Sequence, residues 1–185
     1  MKVFRICEMG VKEFKEGDQI KIGKYTSTCV KVDSKDCTFL LDQYLDTVFR
    51  YKNLIPKLNK YLLKDKNFEE INAIAKPQDI YNYGEKVLYR VPFAGEMFSG
   101  TEEDEYIRKN YEPDTSEGFL DIWECAKDPK NRLAFGGRDN YTSGWLMNAT
   151  NDSTPSFALV LPRGGASDVF DIASCCVRPV FVIEN

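Results

Sequence analysis

The order in which hydrophobic periodicities occur constrains this chain most. Strand-like segments, rich in alternating, β-branched and aromatic residues, occupy both ends, and helical spacing is confined to the middle. Val3–Cys7, Gln19–Gly23, Tyr25–Val32 and Cys37–Leu41 read as strands. Gly17-Asp18 and Asp33-Ser34-Lys35-Asp36 supply the turns, so residues 1–42 are expected to form a small antiparallel meander. Helix signals follow over 53–76. Ile55, Leu58 and Leu62 share one face after Asn53, and Asn67-Phe68-Glu69-Glu70 has a capping-box arrangement that opens a second helix through Ile71 and Ile74, ending before Pro77. Lys86–Val91 returns to strand until Pro92. Within an acidic insert, 96–128, the residues Phe119, Ile122 and Trp123 predict one short helix. In the C-terminal part, 133–185, Gly144–Asn148, Phe157–Leu161 and Val177–Ile183 are strand candidates. Strands at both ends with helices between them give an α+β class, since repeated βαβ units would interleave the two. At 185 residues the chain is long enough for one well-buried domain. The expectation is therefore a single domain over 1–185, with antiparallel sheets and two or three short helices.

Charge is unevenly spread. The chain has 25 Lys and Arg against 29 Asp and Glu. Residues 1–70 hold 14 basic and 11 acidic residues, and the insert 96–128 holds 11 acidic against 3 basic. No basic stripe is present, so direct nucleic-acid binding is not expected. An acidic run of this kind reads either as a solvated loop or as a patch that docks on a basic partner.

The chemistry available to the chain is narrow. Histidine is absent, which removes Ser-His and Cys-His dyads and the usual zinc ligands apart from Cys. The six cysteines (Cys7, Cys29, Cys37, Cys125, Cys175 and Cys176) have no Cys-x-x-Cys spacing, and only the last two are adjacent. Neighbouring residues on a strand face opposite sides, so Cys175 and Cys176 are not placed to act together. No Gly-x-Ser-x-Gly, P-loop or Gly-x-Gly-x-x-Gly motif occurs, and Gly164-Gly165 before Ala166-Ser167-Asp168 reads as a β-turn. No catalytic residues, metal or cofactor are expected, and the protein is read as a non-enzyme. The N-terminus has no apolar run of signal-peptide length, and no window approaches a membrane span, so a cytoplasmic or virion-associated protein with reduced thiols is expected.

The C-terminal residues carry an ordered pattern. It runs Gly144-Trp145-Leu146-Met147-Asn148-Ala149-Thr150, then Ser156-Phe157-Ala158-Leu159-Val160, Gly164-Gly165, and Cys176-Val177-Arg178-Pro179-Val180. This resembles a family of uncharacterised bacterial and phage proteins that close on Trp-Leu-Arg-Ser, Ala-x-x-Val and Gly-Val-Arg-Pro. It also looks like the C-terminus of C-type-lectin-like proteins, among them the variable proteins of diversity-generating retroelements and the formylglycine-generating-enzyme group. Gly17–Gly23 with Tyr25–Val32, and Leu54–Leu63, are similar to the same family's opening segment and helix. Met147, Asn148 and Cys176 depart from its Arg, Ser and Gly. The resemblance implies a C-type-lectin-like fold and a phage or mobile-element origin.

Two residues of the pattern have a physical reading as framework. Trp145 is expected to fill the core, and Arg178, in an apolar strand, is expected to donate to backbone carbonyls of a nearby loop. The resemblance further implies that exposed residues between the Trp and the Val-Arg-Pro form a recognition face: Asn148, Thr150, Asn151, Asp152, Arg163, Asp168 and Ser174. Sugar-binding lectins hold calcium with a Glu-Pro-Asn type loop, and only Glu112-Pro113-Asp114 approaches it, too few oxygens for a calcium site. The functional expectation is a protein-binding module that inhibits a basic host defence protein through Glu102, Glu103, Asp104 and Glu105. The alternative is a cell-surface or glycan receptor-binding module of a phage particle. No membrane contact is expected.

Overall fold

A computed structural model describes residues 3–5, 13–134, 143–154 and 156–185. In chain order the elements are β1 (Val3–Arg5), β2 (Gln19–Ile22), β3 (Tyr25–Val32), β4 (Asp36–Leu41), β5 (Val48–Arg50), α1 (Leu54–Leu62), α2 (Glu69–Ile74), α3 (Ala94–Phe98), α4 (Asp104–Asn110) and α5 (Pro129–Arg132). The strands β6 (Gly144–Ala149), β7 (Ser156–Val160), β8 (Ala166–Phe170), β9 (Ser174–Cys176) and β10 (Val180–Glu184) follow. The class is α+β. The chain gathers into two compact units, the first from Met1–Gln43, Ile55–Arg90 and Pro179–Asn185, the second from Tyr44–Leu54 and Val91–Arg178. No described helix is long and apolar enough to cross a membrane.

The first unit is a five-stranded sheet in the order β1-β2-β3-β4-β10. β2, β3, β4 and β10 pair antiparallel, but β1 joins β2 in parallel, so the expected meander holds only from β2 onward and the sheet is mixed. β3 alternates buried and half-buried positions from Tyr25 to Thr28, as a strand with one face on a core should. β4, paired on both sides by β3 and β10, is buried from Cys37 to Leu41. Ile55, Leu58 and Leu62 of α1 are buried together with Phe68 and Ile71. An aromatic chain runs through this core: Tyr25 to Phe68 at 5.7 Å between ring centroids, Phe68 to Tyr89 at 5.8 Å, Tyr89 to Phe181 at 6.1 Å and Phe181 to Phe39 at 5.6 Å.

Two local expectations in this unit are corrected. The capping residue is Asp65, not Asn67: Asp65 accepts the amide of Asn67 at 2.9 Å and opens a 3-10 turn, Lys66–Phe68, that runs into α2. Asn67 accepts the amide of Lys24 instead. Lys86–Val91 is not a ladder strand. It makes isolated bridges, Gln78 with Val87 and Arg90 with Val180. Between them the side chain of Asn59 takes over the ladder's work, accepting from the amides of Leu88 and Tyr89 and donating to the Tyr89 carbonyl. A side chain satisfies those buried backbone groups where a strand would have done so.

The second unit is a five-stranded sheet in the order β5-β9-β6-β7-β8. β5–β9, β6–β7 and β7–β8 pair antiparallel, while β6 meets β9 in parallel at Gly144 and Cys176. β8 corrects the reading of Gly164-Gly165 and the residues after it as a turn alone: the turn ends at Gly164 and a five-residue strand follows. Its edge position is blunted, as exposed edges generally need to be, because Tyr111 donates to the Ser167 carbonyl and Tyr106 to Asp168 at 3.0 Å. Val177–Ile183 is likewise not one strand. Val177–Pro179 leaves the ladder, and the flanking strands β9 and β10 belong to different sheets. There are five α-helices among the described residues, more than the two or three expected, because α3, α4 and the four-residue α5 form in place of the one insert helix expected. The helix expected around Phe119–Trp123 does not form. Its amides are bonded elsewhere, Leu120 to Asp114 at 2.8 Å and Trp123 to the Glu96 carbonyl at 3.0 Å. Gly136-Gly137 and Cys7 lie outside the described residues.

Candidate functional site

The acidic insert is built around the start of α3. A helix begins with amides that have no partner inside it, and here three residues in succession receive one from a side chain. Glu96 reaches back to the Phe93 amide at 2.9 Å, Asn148 accepts from Ala94 at 2.7 Å, and Asp114 accepts from Gly95 at 3.0 Å. Asp114 is 1% exposed. Its second contact on the same oxygen is the Leu120 amide, and its other oxygen accepts from Asn148 Nδ2 at 2.7 Å. Asn148 also donates to the Glu112 carbonyl at 2.9 Å. Gly95 is obligatory, since a Cβ there would stand 2.2 Å from Asp114 Oδ2 and 2.5 Å from the Leu120 carbonyl. Burial pushes the Asp114 carboxyl up to about 6, and the neighbouring Glu96 adds to that, against the three donated hydrogen bonds.

This knot corrects two expected recognition residues. Asn148 (4% exposed) and Thr150 (7% exposed) are buried, not displayed. The Asn148 amide is consumed by α3 and the 112–120 loop, and Thr150 bonds the Ser156 carbonyl through both its amide and its hydroxyl. Within Glu112-Pro113-Asp114, both Asp114 oxygens accept N–H donors, two on Oδ2 and one on Oδ1. Among the described residues no group of three Cys, Asp or Glu side chains is placed to hold a metal ion.

The remaining residues divide by their surroundings. Asn151, Asp152, Arg163 and Ser174 are exposed. Asn151 nonetheless bonds the Tyr111 carbonyl at 2.9 Å. Asp168 is half-buried on the Tyr106 hydroxyl. Trp145 is 1% exposed, donates to the Phe49 carbonyl at 2.6 Å and packs edge-on against Tyr51. Arg178 lies in the connection between β9 and β10 and donates to the carbonyls of Asn131 and Arg132, the C-terminal end of α5, where a cation is favoured. Cys176 is buried and Cys175 half-buried, with the Cys175 thiol pushed up to about 11, mainly by burial. A thiol held that high carries little thiolate at neutral pH.

The four consecutive carboxylates are not equivalent. Asp104 bonds Arg108 at 2.8 Å, one helical turn on, and accepts from the Gly100 amide, and this pairing holds its carboxyl below the usual range. Glu103 is half-buried, 2.9 Å from the site of a Cβ on Gly165. Glu102 and Glu105 are exposed. Acids at the start of α4 and Arg108 and Lys109 at its end follow the helix dipole.

Beside this turn lies an open pocket of about 520 Å³, lined by Ser99, Gly100, Thr101, Glu102, Ile122, Lys127, Pro129 and Arg132. Arg132 is 2% exposed, and sequence reading did not single it out. Its Nε donates to the Ala126 carbonyl at 2.7 Å and its Nη1 to the Gly164 carbonyl at 3.2 Å, with the guanidinium 5.3 Å from the Phe98 ring centroid. Burial pulls its pKa below the ordinary arginine value, opposed by the charges of Glu102, Glu103 and Asp128. Gly164 (φ +81°) fits the close approach, because a Cβ would lie 2.5 Å from the Pro129 carbonyl.

Comparison of the chain with protein-family models, with curated proteins and with solved structures gave no match.

Proposed function

We propose that this protein is a non-catalytic recognition module that binds a basic protein partner through the exposed carboxylates of its 96–128 segment. The observation that carries this reading is their state. Glu102, Glu105, Glu112, Glu117 and Asp121 are all exposed, and none forms an ion pair among the described residues. They stand on a backbone fixed by the Asp114–Asn148–α3 knot. Charge presented on a fixed scaffold steers association and sets its salt dependence. The C-type-lectin-like fold and the phage or mobile-element origin belong to the same reading. They rest on the sequence resemblance, with Trp145, Ala158, Val177 and Arg178 all buried in the second unit. In this reading the host target is a basic protein of a defence system.

The test replaces Glu105, Glu112 and Glu117 together with Gln, leaving the structural Asp104 and Asp114 in place. Partner captured from host lysate by the parent protein should be lost in high salt, and the variant should bind it more weakly with a flatter dependence on salt. Unchanged affinity at low salt would refute the reading. The surface or glycan reading keeps the exposed Asn151, Asp152 and Arg163. It loses Asn148 and Thr150, so the acidic segment is the better supported face.

A further inference from the structure

The pocket lined by Arg132 has a feature the recognition reading does not use. A buried guanidinium is stable when its charge is matched close by, and an unmatched one is costly. Here the direct partners of Arg132 are two backbone carbonyls and the face of Phe98, and no carboxylate among the described residues bonds it. Those carbonyls occupy Nε and one hydrogen of Nη1. What remains is Nη2 and the second hydrogen of Nη1, charge-carrying donors suited to a carboxylate. Lys127 lines the same space, with a side chain that is 56% exposed and tethered to Glu124.

The surroundings narrow the ligand further. Glu102 lines the pocket, and with Glu103 and Asp128 its charge acts on Arg132 without a hydrogen bond. A bare anion would be repelled by them, whereas a ligand carrying its own cation would satisfy Glu102 while its carboxylate took the remaining Nη donors. Ile122 and Pro129 offer an apolar wall for a short side chain, and about 520 Å³ lies within the usual range for small-molecule sites.

We propose that this pocket binds a free α-amino acid, its carboxylate on the remaining Nη donors of Arg132 beside Lys127 and its ammonium facing Glu102. Glu102 belongs to both surfaces, but the partner-docking test, on Glu105, Glu112 and Glu117, spares every residue that lines the pocket, so the two readings fail separately.

The experiment titrates the 15N-labelled full chain with each of a panel of α-amino acids to about 20 mM, with sodium acetate and methylammonium chloride as single-charge probes. The expected result is saturable shifts in the amides of Gly100, Thr101 and Lys127 and in the Arg132 Nε–H for at least one amino acid. Acetate and methylammonium should saturate at least about tenfold more weakly. Glu102→Gln and Lys127→Met change exposed groups, so their melting temperatures should match the parent while each weakens amino-acid binding about tenfold or more, the worth of one charge-assisted contact. Arg132→Lys keeps the charge and loses the Nη donors, and should abolish binding even if folded. Absence of saturable shifts in the parent overturns the proposal. So does acetate binding as tightly as the amino acids, or equal affinity in Glu102→Gln.

Discussion

Asp114 makes the stability of this protein depend on pH in the direction opposite to an ordinary ion-paired carboxylate. Its folded-state pKa of about 6 lies above the 3.8 of the free side chain, so the folded state holds a proton that the unfolded state has released. Stability from this group is fully present below 3.8 and is lost as pH rises through 6. Two pH units correspond to about 3 kcal/mol, and lowering pH from about 7.5 to about 5 recovers about 1.4 kcal/mol of it. Urea unfolding followed by Trp fluorescence at those two values measures the gain. Asp114→Asn is the control, being neutral at both. Its own cost comes from direction: Oδ2 faces two N–H donors and Oδ1 faces Asn148 Nδ2, so the new NH2 meets a donor either way. That lowers stability at pH 5 by about 1–3 kcal/mol. The reasoning fails if the parent gains nothing between pH 7.5 and 5, or if Asp114→Asn shows the same gain.

Other substitutions separate framework from surface. Gly95→Ala drives a Cβ into Asp114 and the Leu120 carbonyl, and thermal melting should show at least the roughly 1–3 kcal/mol of an overpacked core. Trp145→Phe removes the Nε1 donor from the buried Phe49 carbonyl and leaves a void, so chemical denaturation should register a loss of about 2–4 kcal/mol. Asp65→Ala should lower stability by about 1 kcal/mol through loss of the cap on the 3-10 turn before α2.

The sequence made the large divisions legible because they rest on burial pattern. β3 matches its expected span, β2, β4 and β6 match theirs to within one residue at one end, β7 is shifted by one residue, and Ile55, Leu58 and Leu62 form the buried face of α1. What escaped is set by side chains acting at a distance along the chain. Asn59 stands in for a strand partner at Leu88 and Tyr89, 29 and 30 residues away, and nothing within Lys86–Val91 announces it. The start of α3 depends on Asp114 and Asn148, 19 and 54 residues from the amides they cap. A capping search that looks three residues ahead finds only Glu96. The candidate site was legible by half. The acidic run marked the segment, but composition could not separate Asp104 and Asp114, which are structural, from Glu102 and Glu105, which are displayed. Arg132 carried no local signal, because its burial comes from Gly164 and Phe98, 32 and 34 positions away in the chain.

The same division explains why so acidic a segment holds a defined shape. Eleven carboxylates over 96–128 would repel one another if all were free. Instead several are used as backbone acceptors or paired: Glu96, Asp104 and Asp114 on amides, Asp128 on the Lys130 amide, and Glu124 on Lys127. Glu96 and Asp114 replace missing helix partners at the start of α3 and Asp128 does so at α5, so negative charge is part of the material from which those helices are started, while Asp104 and Glu124 are neutralised by Arg108 and Lys127. The carboxylates left over project from positions those caps define. An acid removed from the first group should therefore alter folding before it alters binding, and an acid removed from the second should alter binding alone. Surface charge and framework charge are thus separable by where the hydrogen bonds go, and a charge-neutralising variant that mixes the two groups would report on neither.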